Sequence, residues 1–163
     1  MSEADDDLQH LSKILTDSNS VNRDRTVAII CTAYIEKHLA DHLVQFFPGL
    51  DVKSRKKLFE HPGILSTLVA KIDIAQALGA ADSVGAKNMK TIARIRNIFA
   101  HNLRVASFDD PQIAPLVDKL THLWDSALDN LLGPESRAQK FEQLALHLCL
   151  SLETAQRART MTV

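Results

Sequence analysis

Apolar residues recur at three- and four-residue intervals along almost the whole chain, the period of amphipathic helices. Leu8, Leu11, Ile14 and Leu15 predict a first helix over 5–17, with acidic residues at its start, where the helix dipole favours them. A run rich in capping residues, Asp17-Ser-Asn-Ser-Val-Asn22, separates it from a long helix over about 22–47. That helix carries Val27, Ile30, Cys31, Tyr34, Ile35, Leu39, Leu43 and Phe46, a set wide enough to be covered on more than one side, and Pro48-Gly49 ends it. Asp51 is placed to cap a short basic helix holding Lys53, Arg55, Lys56 and Lys57, broken by His61-Pro62-Gly63. Residues 64–78 predict a further helix with Leu65, Leu68, Val69, Ile72 and Leu78 inward and Gly79 at its C-terminal cap. Ala80 to Ala86 reads as a small-residue loop before a helix over about 87–105.

After the turn Phe108-Asp109-Asp110-Pro111, a helix begins near Asp110 or, because of Pro115, one turn later. Ile113, Leu116, Val117, Leu120, Leu123, Trp124, Leu128 and Leu131 give it a clean apolar face. Gly133-Pro134 precedes a last helix over about 135–159, whose seam of Phe141, Leu144, Ala145, Leu148, Leu152 and Ala155 packs on its own bundle or on a partner subunit. No segment reads as a strand or a fixed-period repeat. The expected architecture is all-α, a single-domain helical bundle of about seven helices over 1–163, with residues 1–7 a mobile N-terminus and 135–163 the C-terminal helix.

The stretch Asn88 to Arg104 gathers the most unusual polar groups. At about 100° per residue, Arg94, Asn97, His101 and Arg104 form one polar stripe, opposite an apolar stripe of Ile92, Ile95, Phe99 and Leu103. Arg96 falls at the edge of the apolar face, where an arginine must snorkel outward or meet a carboxylate. Asp24 and Glu36 of the long helix are the candidate ion-pair partners.

Composition narrows the function. A hydrophobic fraction of 45% and a charged fraction of 24% are those of an ordinary soluble domain. No apolar run approaches the roughly 20 residues that span a bilayer, and the acidic N-terminus is not a secretory signal. Cys31 and Cys149 lie in apolar helical patterns, as expected of buried free thiols in a reduced cytoplasm. A cytoplasmic protein is expected, with no membrane association. The net charge of −1 and the pI near 6.6 argue against a lone domain that grips nucleic acid, because neutralising phosphates requires cations. A basic face would have to be concentrated locally.

His38 and His42 stand one helical turn apart, a spacing that can chelate a metal, but Leu39 replaces the glutamate of a zinc-protease motif. They are expected on a wet helix face, with no metal and no cofactor. The basic cluster Lys53 to Lys57 reads as a solvated helix face, without the aromatics of a single-strand binder. No recognition helix is evident: the likeliest, 64–78, is too apolar to lie in a major groove.

Arg96-Asn97-Ile-Phe-Ala-His101 resembles the short signature of HEPN-domain ribonucleases, which are helical and usually dimeric. On that resemblance Arg96, Asn97 and His101 would be catalytic without a metal. His101 would move the proton, Arg96 would stabilise phosphorane-like charge and Asn97 would orient His101 on an RNA substrate. A broader set of blocks is similar to the mannitol operon repressor (MtlR) family. It comprises Asp24 to Leu39, Lys71 to Gly79, Ile92 to His101 and Ser107-Phe108, in order and within roughly residues 10–125. That resemblance implies a helical bundle that represses sugar-alcohol uptake genes. The expected function is a transcriptional regulator rather than an enzyme, a homo-oligomer (a dimer favoured) that acts through a protein partner or through an operator-DNA contact built in the oligomer. Its first candidate interaction surface is Arg94, Asn97, His101 and Arg104; the alternative is the HEPN-type endoribonuclease.

Overall fold

The computed structural model describes residues 22–121 and 136–160, together with Gln9. Six helices lie within them: α1 (Arg23–Val44), α2 (Val52–Phe59), α3 (Leu68–Ala77), α4 (Ser83–His101), α5 (Ala114–Asp118) and α6 (Arg137–Thr160). No strand occurs among the described residues. The all-helical expectation holds in six described helices rather than about seven; the predicted helix over 5–17 and the stretch 122–131 lie outside the described residues.

α1 is the hub. It packs against α6, α4 and α3, while α4 also meets α3 and α5. Val27, Cys31, Ile35, Leu39 and Leu43 of α1 are fully buried, which accounts for its broad apolar set. From α6, the seam residues Phe141, Leu144, Ala145, Leu148 and Leu152 join the same core, whereas Ala155 is exposed. The seam therefore packs on its own bundle. A ladder of rings crosses the core, with Phe99 edge-on to Phe108 at 5.3 Å and Phe108 tilted over Phe141 at 4.6 Å between centroids.

Local chemistry sets the helix ends. Asp51 accepts the Ser54 N–H at 2.6 Å to start α2, and Thr67 accepts the Ala70 N–H at 3.2 Å to start α3. Gly79, at φ +69°, closes α3 in the left-handed conformation that glycine tolerates. At Gly63 the reason for glycine is space: a Cβ there would collide with the carbonyl oxygens of Lys57, Leu58 and Glu60.

Several expectations fail, each for a physical reason. α4 starts at Ser83, not near Lys87, because Asp82 caps it by accepting the Gly85 N–H at 2.6 Å. It ends at His101, and the extended backbone at Asn102 (φ −119°, ψ 98°) takes Leu103 out of helical phase, so Leu103 is 83% exposed instead of core. α3 begins only at Leu68, which leaves Ile64 and Val69 exposed, as is Leu78 at its end. The helix after Pro111 spans only Ala114–Asp118, with Pro115 in its first turn. His38 and His42 are buried, not wet, because α1 is covered on that side as well.

Candidate interaction surface

α4 separates its faces cleanly. Met89, Ile92, Ala93, Ile95 and Phe99 are buried, while Lys87, Lys90, Arg94, Asn97 and His101 are exposed. Arg104 continues the exposed stripe beyond the helix end. The helix carries no Asp or Glu, so this face is basic even though the whole chain has a net charge of −1. All four stripe residues singled out from the sequence are at the surface, and none is consumed in holding the bundle together.

What holds the end of α4 comes from the first turn of α1. Arg25 Nη2 donates to three carbonyls just past the helix, those of Asn102 (3.3 Å), Leu103 (3.1 Å) and Val105 (2.7 Å). A guanidinium there ties down the backbone just past the helix and faces the negative end of the helix dipole. Its neighbour Asp24 accepts the Phe108 N–H through Oδ2 at 2.9 Å. The blocks Asp24-Arg25, Ile92 to His101 and Ser107-Phe108 thus meet at one corner of the fold. Leu103 projects from that corner between His101 and Arg104.

The expected partners of Arg96 are engaged elsewhere. Asp24 holds the 108 backbone, and Glu36 Oε1 receives the buried Lys71 Nζ at 2.6 Å. Arg96 is half-buried and donates through Nη1 to Asn97 Oδ1 at 2.9 Å. Five residues along a helix turn the chain by about 500°, which leaves Arg96 and His101 roughly 140° apart around the axis. Asn97 spends its carbonyl on Arg96 and makes no hydrogen bond to His101. Within one chain, Arg96 and His101 leave α4 on different sides.

Other motifs resolve into structure. His42 packs edge-on to Phe46 at 5.3 Å, and Arg159 lies 3.7 Å above the same ring. Burial, with Arg159 second, lowers the His42 pKa, so the imidazole is neutral at pH 7. His147 is shifted the same way by burial. Burial pushes the Cys31 thiol up to about 12 and raises Cys149 as well. No group of three or more metal-ligating side chains occurs among the described residues. Lys53, Arg55, Lys56 and Lys57 are exposed, with Arg55 bridged to Asp41 at 3.1 Å.

Lys87, Lys90 and Lys119 extend the basic surface beyond the four residues of the stripe. Lys87 and Lys90 share the face of Arg94 by three- and four-residue spacing. Lys87 and Lys90 already fall inside the predicted helix, so that spacing is the signal for them, while Lys119 joins only through the tertiary fold.

No family model matches the chain, and no curated protein sequence matches it. Among solved structures the fold is similar to that in the X-ray structure of the MtlR–HPr complex from Escherichia coli, with a TM-score of 0.59 and 16% identity. The match covers 94% of this chain and 98% of the other. At that identity the likeness establishes a shared helical fold over nearly the whole of both chains. No helix among the described residues is long and apolar enough to cross a membrane.

Proposed function

We propose that this protein is a regulator of the mannitol-operon-repressor kind, controlling sugar-alcohol uptake genes by binding a protein partner. The observation that carries the reading is the end-to-end fold match to a chain solved in complex with another protein, HPr. The sequence blocks that resemble the same family support it. They are Asp24 to Leu39, Lys71 to Gly79, Ile92 to His101 and Ser107-Phe108. The corner at the end of α4 is the docking surface in this reading. It offers the exposed polar residues Arg94, Asn97, His101 and Arg104 together with exposed Leu103. A homodimer belongs to the same proposal, as does an operator contact that forms only in the assembled complex.

The test mixes the purified chain with purified HPr from the same cell and measures association by calorimetry. A defined stoichiometry supports the reading. Absence of binding, combined with a tight complex between the chain alone and operator DNA that ignores salt, would overturn it.

A further inference from the structure

Next to the docking corner, α3, α4 and the end of α5 border an open surface groove of about 440 Å³. Lys87, Lys90 and Arg94 enter it from α4, and Lys119 enters from just after α5. Lys90 is already paired with Asp73, at 2.6 Å. Lys87, Arg94 and Lys119 have no carboxylate partner among the described residues, so three cations from two elements face one small volume uncompensated. In water the exposed cations repel one another only weakly, but their potentials add at the position of a bound anion.

The remaining lining distinguishes among anions. Thr91 donates its hydroxyl to the Lys87 carbonyl at 2.9 Å. Ser83 and Gln76 add a hydroxyl and an amide at the other end, and Leu116 forms an apolar floor. Cations at one end with neutral donors and acceptors at the other suit a charged head on a hydroxylated body. Among the described residues no aromatic side chain lines the groove.

We propose that this groove binds a small phosphate monoester, with Lys87, Arg94 and Lys119 on the phosphoryl oxygens and Gln76 and Ser83 on the hydroxylated part. The groove shares Arg94 with the proposed docking corner, but it is tested at Lys87 and Lys119, which lie outside that corner, so the two readings fail separately.

The test titrates the full chain with inorganic phosphate and with glycerol 3-phosphate, at constant ionic strength set by chloride. Calorimetry reads binding and thermal melting reads fold. Saturable binding is expected, tighter for the ester, and weakened at least about tenfold in Lys87→Gln/Lys119→Gln, since charge-assisted hydrogen bonds are the strong ones. Both lysines are exposed, so the ligand-free melting temperature should not change. No saturable binding of either probe, or equal binding by the variant, overturns the proposal. A duplex oligonucleotide forms the third arm. If it binds and loses affinity in the variant while neither small probe binds, the groove is a polyanion surface and the proposal fails.

Discussion

The side chain of Asn88 closes a two-point clamp on the backbone of Thr121. Its Nδ2 donates to the Thr121 carbonyl at 2.8 Å while its Oδ1 accepts the Thr121 N–H at 3.1 Å. Asn88 is 1% exposed, so this pair fixes the chain after α5 to the middle of α4. Only an amide supplies one donor and one acceptor in that geometry. Asn88→Ala should lower stability by about 1–3 kcal/mol, because it removes both part-buried hydrogen bonds to the Thr121 backbone. Urea denaturation of the purified variant measures it, and a shift below about 0.5 kcal/mol would mean the clamp is replaced by water.

Arg25 should act through segment 102–108 rather than through the whole core. Arg25→Ala removes the donor to three carbonyls at the end of α4. The expected result is faster amide exchange confined to about 102–108, with a global loss of about 1–2 kcal/mol. Exchange that accelerates evenly across α1 and α4 would contradict this assignment.

These corner contacts explain what the sequence showed and what it concealed. The helix faces of α1 and α6 were legible because both bury continuous apolar stripes, and the Asp51 and Gly79 ends were legible because capping chemistry is local. Leu103 was misplaced because the helix stops at His101, and that stop depends partly on Arg25, far away in sequence. His38 and His42 were misplaced because a histidine looks wet until the covering elements are known. Arg94, Asn97, His101 and Arg104 form one stripe in the sequence and Lys87 and Lys90 continue it at the same spacing, whereas its junction with Lys119 requires the tertiary fold.

Stability should fall as pH drops from about 7.5 to 5.5. The folded-state pKa values of His42 and His147 lie below 6.5, so through this window the unfolded chain binds more protons than the native one. Stability then decreases as pH falls, and the decrease levels off once pH passes below the folded values. His42→Phe keeps a ring against Phe46 and removes one titration, so its stability should depend less on pH than that of the parent. Urea midpoints at the two pH values test this; identical slopes for parent and variant would remove His42 from the account.

Neither cysteine should react in the native state. Cys31 and Cys149 are fully buried and both thiols are shifted upward, Cys31 to about 12, so the thiolate is scarce at pH 8. A chromogenic disulfide reagent should titrate no thiol in native protein and two in denaturant. Rapid modification of the native chain would show that α1 and α6 separate readily, against the extensive packing between them.

The docking corner yields the sharpest separation of function from fold. Leu103 is 83% exposed between exposed His101 and Arg104, and its side chain contributes nothing to the core. Leu103→Asp should therefore leave stability within about 0.5 kcal/mol of the parent, as surface substitutions usually do. In a protein–protein interface the same change buries an unpaired charge where an apolar anchor belonged, which should weaken partner binding by tenfold or more, about 1.4 kcal/mol at least. His101→Ala should reduce binding less, because a rim residue mainly loses hydrogen bonds. The measurement is calorimetric titration with HPr beside a melting curve of each variant. Undiminished binding by folded Leu103→Asp would move the partner site away from the end of α4, while leaving the phosphate groove at Lys87 and Lys119 to stand on its own test.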